Sequence, residues 1–160
     1  MGAKITPNLW FDGNAEAAAN FYASVFPDSR VDRVVRSVTD TPAGPAGMVL
    51  TVEFTVLGLK FVGINGGPQF PFTEAVSFSV ECGDQAEIDR YWEALTADGG
   101  APVQCGWLRD KFGLSWQIVP KQLQAMLDDP DRERAGRAMQ AMLGMVKLDV
   151  AALQAAFDGR

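Results

Sequence analysis

The strongest constraint on the fold is an order of strand and helix patterns that the sequence presents twice. A short apolar run is followed by a helical repeat of alanine and aromatic side chains, and then by three segments with the alternation or β-branched content of strands. In the first copy these segments span residues 5–11, 15–26, 30–38, 48–57 and 59–65. Asn14 stands where it can cap the first helix, and Gly58 marks a tight hairpin. The first part of the chain therefore predicts a β-α-β-β-β module.

The second copy repeats this order and is followed by a change of character. Its strand, helix and three further strands are predicted over residues 75–80, 85–97, 101–104, 105–110 and 114–119. After Pro120 the pattern is helical, in segments near residues 121–128, 131–145 and 149–157. We therefore predict an α+β fold. Residues 1–120 hold two modules, about 5–67 and 74–120, and residues 121–160 form a C-terminal helical extension.

The composition excludes several classes of function. The 160 residues contain no histidine, so a Ser/His/Asp or Cys/His nucleophilic site is excluded and the commonest transition-metal ligand is missing. A formal net charge of -6 argues against a nucleic-acid partner, which requires clustered Lys and Arg. Two cysteines without a CxxC motif, no apolar signal-peptide core and no long apolar run predict a reduced, cytoplasmic protein with no membrane partner. The opening MGAKIT matches a myristoylation pattern, although so short a pattern recurs by chance.

Several stretches resemble one known family. They are LWFDGNAEAAANFYASVFPDS, the NGGP turn, DRYWEAL, CGWLRDKFGLSWQIVP and QAMLGMVKLDVAAL. All are similar to the PhnB-like subfamily of the vicinal-oxygen-chelate superfamily, which includes glyoxalases, bleomycin-resistance proteins and extradiol dioxygenases. The resemblance covers residues 5–157. It implies that the paired modules curl a mixed sheet around a pocket and that the protein is a homodimer.

The metal ligands of this superfamily have no obvious equivalents here. In metal-dependent members four ligands, usually His and Glu, project inward from the first and last strands of the two modules. Carried over by position, they fall near Pro7 or Asn8, near residues 63–65, at Ser77 and at Gln117. None of these is a histidine or a carboxylate, and neutral oxygens offset little of the cost of dehydrating a dication. We therefore expect neither a metal nor another cofactor.

Three polar residues are candidate ligand contacts. Alternation over residues 114–119 directs the bulkier set towards a helix and leaves Gln117 facing a cavity, where it either contacts a ligand or makes a structural hydrogen bond. Ser77 either lines the floor of a cavity or belongs to ordinary solvent-facing alternation. Asn65 faces the same way if the family positions carry over, and its alternative is to form the turn beside Gly66.

Two tryptophans and one carboxylate complete the candidates. Trp107 and Trp10 can form aromatic walls for a planar or cationic ligand, with core packing as the alternative. Glu53 is the candidate general base, because a carboxylate half-buried among Val and Phe holds a proton more readily than one in water. An exposed position on a strand face is its alternative.

The last two predicted strands are joined by a tight turn at residues 110–113. Asp110 and Arg109 are expected to form the turn and a surface pair. Cys105 has no histidine that could stabilise a thiolate, so we expect it to be a buried small hydrophobe and not a nucleophile.

Two functions follow from these features. The first is a metal-free cleft protein that binds a small aromatic or cationic molecule. The second is an enzyme of lyase, isomerase or dioxygenase type that acts on a small substrate. Some members of the subfamily carry the label demethylubiquinone methyltransferase, which we do not favour. A class I methyltransferase shows a glycine-rich loop that opens a helix, whereas GINGG follows a hairpin. The pocket lies either within one chain or between two.

Overall fold

The described part of the chain contains two sheets, one helix in each of two modules, and three helices that follow them. The computed structural model of the chain describes residues 3–160, so Met1 and Gly2 of the MGAKIT pattern lie outside the described residues. Within that range there are eight strands in two four-stranded mixed sheets, and five helices. Contacts divide the chain into two units, Met1–Phe72 and Thr73–Arg160. The predicted α+β class, the doubled module and the C-terminal helices are confirmed.

The first unit is a single module built on one helix. Its elements in chain order are β1 (Asn8–Phe11), α1 (Ala15–Val25), β2 (Arg30–Arg36), β3 (Val49–Val56) and β4 (Leu59–Asn65). The strand order is β1-β4-β3-β2, with β1 parallel to β4 and the other pairs antiparallel. Tyr22 of α1 stacks on Phe54 of β3 at a ring-centroid distance of 6.1 Å, and both side chains are buried. The helix therefore covers one face of this sheet.

The N-terminus of α1 is capped from another strand. Asn14 occupies the N-cap position, but its side chain makes no capping hydrogen bond. The amide N–H of Ala15 donates instead to Oδ1 of Asn65, at 3.0 Å. The prediction that Asn14 caps this helix is therefore wrong, because an amide from the end of β4 already satisfies the first helical N–H group.

The second unit begins with a module of the same topology. Its elements are β5 (Ser77–Cys82), α2 (Gln85–Thr96), β6 (Ala101–Pro102), β7 (Trp107–Arg109) and β8 (Ser115–Pro120). The strand order is β5-β8-β7-β6, again with one parallel pair, β5 with β8. Asp84 caps α2 by accepting a hydrogen bond from the amide of Glu87 at 2.9 Å. Ile88, Tyr91 and Leu95 form the buried stripe of this helix.

Three further helices extend the second unit. They are α3 (Gln122–Leu127), α4 (Arg132–Leu143) and α5 (Val150–Asp158), and their own buried cluster consists of Leu123, Met126, Ala138, Leu148, Leu153 and Phe157. Gln85 joins this extension to the module, since Nε2 donates to the Leu148 carbonyl at 3.1 Å and Oε1 accepts from the Val150 amide at 2.8 Å. The Gly106 amide donates to the Val146 carbonyl at 2.8 Å. None of the helices in residues 3–160 has the length and apolarity needed to cross a bilayer.

Candidate functional site

One face of the second sheet carries most of the predicted contact residues. In β5 and β8 the side chains of Val80, Trp116 and Ile118 are buried on the side of the sheet that α2 covers. The residues next to them along each strand therefore point to the opposite face. Cross-strand register then assigns the residues of the opposite face, because directly paired residues share a face. We call this surface the Gln117 face, and its members are Ser77, Ser79, Glu81, Trp107, Arg109, Ser115, Gln117 and Val119.

Gln117 lies at the centre of this face, with a polar strand on one side and an aromatic residue on the other. Its Nε2 donates to Oγ of Ser77 at 2.9 Å. Ser79 of β5 is its cross-strand partner in the parallel pair, and Trp107 of β7 is its partner in the antiparallel pair. Within residues 3–160 no protein hydrogen bond reaches Oε1 of Gln117. The structure thus brings Gln117, Ser77 and Trp107 together, and Oε1 of the amide accepts no hydrogen bond from the described residues.

A buried carboxylate, which the sequence analysis had placed in a surface pair, holds this strand pair in place. Asp110 is 1% exposed. Its Oδ1 accepts from the amides of Phe112 and Leu114 at 2.9 and 3.0 Å, and its Oδ2 accepts from Nε1 of Trp116 at 2.9 Å. The expected turn is present, but the expected surface pair with Arg109 is wrong because the carboxylate points inward. An inward-facing Trp116 was the available signal, since a buried indole N–H requires an acceptor.

Asn65 does not lie on the equivalent face of the first sheet. It is paired with Phe11, it is 3% exposed, and it shares its alternation with buried Phe61. Besides accepting from Ala15, its amide donates through Nδ2 to the Val49 carbonyl at 2.9 Å. The expectation that Asn65 faces a cavity is therefore corrected, because strand alternation directs it to the helix side and both of its amide atoms are used there.

Trp10 is fixed by the loop that follows β4. Its Nε1 donates to the Gly67 carbonyl at 2.8 Å, and its ring meets Phe70 edge to face with centroids 4.9 Å apart. A Cβ atom on Gly66 would lie 2.1 Å from the Trp10 ring, so only glycine allows this close packing. Phe70 itself is 63% exposed. Trp10 is thus part of a packed aromatic corner whose outer ring is accessible.

Glu53 has a more polar environment than its sequence neighbours suggest. Val52 and Phe54 are buried on the helix side, whereas the Glu53 side chain is 46% exposed. Its Oε1 lies 3.8 Å from the guanidinium of Arg33 on the neighbouring strand. Glu53 also lines a cavity of about 310 Å³ together with Lys60. The apolar setting expected for a general base is therefore not met, because alternation separates the carboxylate from its apolar neighbours.

The two cysteines differ in burial, and the burial of Cys82 disfavours a nucleophilic role. Cys82 is fully buried on the helix side of β5, and this burial raises the pKa of its thiol to about 12. Cys105 is partly exposed, in contrast to the expected burial, and its Sγ lies 3.9 Å from the Leu143 carbonyl. Cys82, whose neutral thiol is favoured by burial, is therefore a poor nucleophile at neutral pH.

The donor set does not fit the metal that the superfamily implies. On the inner strands of the first unit, Asn8 of β1 pairs with Val62, and the residue beside Trp10 is the aliphatic Ile64. In the second unit the corresponding groups are the hydroxyl of Ser77 and the amide of Gln117, already hydrogen-bonded to each other. No cluster of three or more His, Cys, Asp and Glu occurs among residues 3–160. Neutral oxygens and aliphatic groups are a poor match for a divalent cation.

Comparisons with known proteins agree on one family. The family model described as 3-demethylubiquinone-9 3-methyltransferase matches residues 3–119. A solved structure described as a putative 3-demethylubiquinone-9 3-methyltransferase, PhnB protein, from Bacillus cereus is 36% identical, covers 74% of this chain and 99% of that chain, and has a TM-score of 0.66.

More distant structures share the fold. Protein PA1353 from Pseudomonas aeruginosa is 22% identical, covers 74% of this chain and 98% of that chain, and has a TM-score of 0.59. The fosfomycin resistance protein FosX from Mesorhizobium loti is 16% identical, covers 81% of this chain and 99% of that chain, and has a TM-score of 0.55. No curated protein matches the chain significantly. At these identities the two structures bear on the fold alone.

Proposed function

We propose that this chain, which belongs to the PhnB-like family of the vicinal-oxygen-chelate superfamily, is a metal-free protein that binds a small aromatic or cationic molecule. Family membership does not decide the chemistry, because one fold hosts many functions. The function is therefore argued from the Gln117 face, where polar and aromatic groups lie side by side.

The observation that carries the proposal is the grouping of Gln117, Ser77 and Trp107. The bond from Gln117 to Ser77 at 2.9 Å orients the amide and leaves Oε1 as an acceptor for a ligand N–H or O–H group. Trp107 is the cross-strand neighbour of Gln117 and is partly exposed. Its ring supplies a rigid surface for a planar ring or, by its negative face, for a cation. The net charge of -6 also favours a neutral or cationic ligand.

The absence of a metal from the proposal rests on ligand chemistry. A superfamily metal site needs charged or imidazole donors, and the positions that would supply them are neutral or aliphatic in this chain. We expect protein purified without chelators to contain no stoichiometric transition metal. Metal analysis by mass spectrometry measures this directly, and one equivalent of bound metal would contradict the proposal.

The methyltransferase label of the family model is not part of the proposal. Class I methyltransferases bind their cofactor where a glycine-rich loop after a strand opens a helix of a doubly wound sheet. Here Gly66 and Gly67 follow β4 and pack against Trp10, and each sheet has four mixed strands. Titration with S-adenosylmethionine is expected to leave the melting temperature unchanged.

The binding proposal is tested with a panel of planar aromatic and quaternary ammonium compounds. Binding is measured by tryptophan fluorescence and thermal shift. Removing the acceptor in Gln117→Ala is expected to weaken the best compound by about tenfold, the value of one well-made hydrogen bond. Trp107→Phe is expected to remove most of the fluorescence response. Gln154→Ala and Trp92→Phe are matched controls, since both residues lie on helices away from this face.

The outcome separates binding from catalysis. If no compound in a broad panel quenches fluorescence or raises the melting temperature, the binding function is wrong. If a compound is instead turned over and Glu53→Gln abolishes the turnover, the enzymatic alternative replaces it.

A homodimer is the proposed assembly, supported by the family and by the apolar surface of the extension. Met139, Leu143 and Val146 are large apolar residues that are exposed on the single chain. Light scattering at micromolar concentration tests this assembly, and a monomer would refute it.

A further inference from the structure

A separate cavity of about 240 Å³ lies in the second unit, where α3 meets β5 and β8. The two strands contribute Ser79, Glu81 and Val119, and the start of the extension contributes Lys121, Leu123 and Gln124. Ser79 is exposed, and Glu81 and Val119 are cross-strand partners. This cavity therefore shares the Gln117 face but has a wall that the module alone does not provide.

That wall belongs to the part of the chain outside the family model. The model ends at residue 119. The match to the Bacillus cereus structure covers 99% of that chain but 74% of this chain. The wall is held firmly, because the Lys121 amide donates to the Cys82 carbonyl at 2.9 Å and Leu123 is buried in the extension core. The cavity is thus formed jointly by the second module and the start of the extension.

Two opposite charges on exposed residues line this cavity and have no partner in the described part of the chain. In residues 3–160, neither the Glu81 carboxylate nor the Lys121 ammonium takes part in an ion pair or a side-chain hydrogen bond. They do not pair with each other, although both line the same cavity. The apolar side chains of Val119 and Leu123 line the same cavity. A ligand with one cationic group, one anionic group and an apolar part matches this arrangement.

The volume restricts the ligand to a very small molecule. At about 30 Å³ for each water, 240 Å³ corresponds to about eight water molecules. This is below the range of about 300 Å³ and more that drug-sized ligands occupy. We propose that this cavity binds a small zwitterion of the free α-amino-acid class. Its ammonium group meets Glu81, its carboxylate meets Lys121, and its apolar side chain packs on Val119 and Leu123.

This site shares the Gln117 face but goes beyond the proposed function, because Gln117, Ser77 and Trp107 do not line it and it takes another class of ligand. It is tested by isothermal titration of the full chain with a panel of free apolar amino acids, L-leucine first. N-acetyl-leucine and leucine methyl ester serve as analogues that each lack one charge. Both analogues are expected to bind about two- to fivefold more weakly than leucine, the range for exposed charge pairs.

The variants assign each charge to its partner. Glu81→Gln and Lys121→Gln are each expected to weaken leucine binding by about two- to fivefold. In Glu81→Gln the difference between leucine and N-acetyl-leucine disappears, and in Lys121→Gln the difference between leucine and its methyl ester disappears. Glu93→Gln and Lys60→Gln remove exposed charges elsewhere and are expected to leave binding unchanged.

A third variant tests the cavity itself. Ser79→Phe introduces a large side chain at an exposed strand position, so it is expected to block binding without lowering the melting temperature. The proposal is overturned if no amino acid in the panel binds at millimolar concentration, or if the charge variants fail to remove the analogue differences. Gln117→Ala is expected to leave leucine binding intact, so failure of this site and failure of the proposed function are told apart.

Discussion

Asp110 gives the sharpest test of how the Gln117 face is built. Its carboxylate joins the turn between β7 and β8 to the indole of Trp116 through three hydrogen bonds of 2.9 to 3.0 Å. The replacement Asp110→Asn keeps the size and shape of the side chain. It replaces one acceptor oxygen with an NH₂ group, which cannot accept a hydrogen bond.

The expected cost follows from the hydrogen bonds that change. In Asp110→Asn the amide oxygen keeps its place towards the two backbone amides, so Nδ2 faces the indole N–H of Trp116. The hydrogen bond from Trp116 to a charged acceptor is then lost, at a cost of about 1.5–3 kcal/mol. The other two bonds become neutral and lose about half of their strength. Relief of the carboxylate from burial offsets part of this loss. We therefore expect the free energy of unfolding to fall by about 2–3 kcal/mol, which lowers the melting temperature by roughly 4–12 °C in a chain of this size.

Urea denaturation followed by far-UV circular dichroism measures this change. The dichroism signal does not depend on Trp116, which is itself replaced in one of the variants below. Asp128→Asn is the matched control, since Asp128 is exposed and its carboxylate accepts, among residues 3–160, only from Gln124. A double-mutant cycle with Trp116→Phe isolates the bond to the indole and is expected to give a coupling energy of at least about 1 kcal/mol. A stability within about 0.5 kcal/mol of the wild type, or a zero coupling energy, would refute the reasoning.

Three further predictions concern other buried groups. Gly66→Ala places a methyl group 2.1 Å from the ring of Trp10, so we expect a loss of about 1–3 kcal/mol in urea denaturation and a shifted tryptophan emission maximum. Asn65→Ala leaves the amide of Ala15 without its acceptor and the Val49 carbonyl without its donor, and is expected to cost about 1–3 kcal/mol in urea denaturation. Burial raises the pKa of the Cys82 thiol from 9.0 to about 12, so the stability it contributes is complete below pH 9 and is lost as the pH rises towards 12. The wild type is therefore expected to lose stability more steeply than Cys82→Ala between about pH 8 and pH 10, and equal slopes would show that this burial has no effect.

The Gln117 face was accessible to sequence reasoning because strand alternation is a local property. Bulky Trp116 and Ile118 predict which side of β8 is buried, and Gln117 then faces the other way with Ser77 on its neighbour. The bond between Gln117 and Ser77 required register, which parallel pairing of strands 40 residues apart decides. Local pattern thus gave the direction of the side chains, and tertiary pairing gave their contacts.

Two polar residues, Asn65 and Glu53, lie in other surroundings than their positions in the sequence suggested. Asn65 was assigned to a cavity by comparison with family positions, but its own alternation with Phe61 places it on the helix side. There it serves the first amide of a helix that is 50 residues earlier in the chain. Glu53 was assigned an apolar setting from adjacent residues, although adjacent residues in a strand point to opposite faces. In both cases the sequence shows which residues alternate between the two faces of the strand. Only the folded chain shows what the side chains on each face contact.

The sequence by itself determined the number and order of elements, the doubled module and the family. These follow from periodicity, from helix- and strand-breaking residues and from local motifs. Such signals act within a few residues and do not depend on which elements pack together. Only the tertiary structure decided which polar groups are satisfied and which remain available. Asp110 became an internal acceptor and Asn65 a helix cap, while Glu81 and Lys121 remained unpaired at one cavity in the described part of the chain. The physical reason is that hydrogen bonds and ion pairs depend on distances of about 3–4 Å between residues that lie far apart in the sequence.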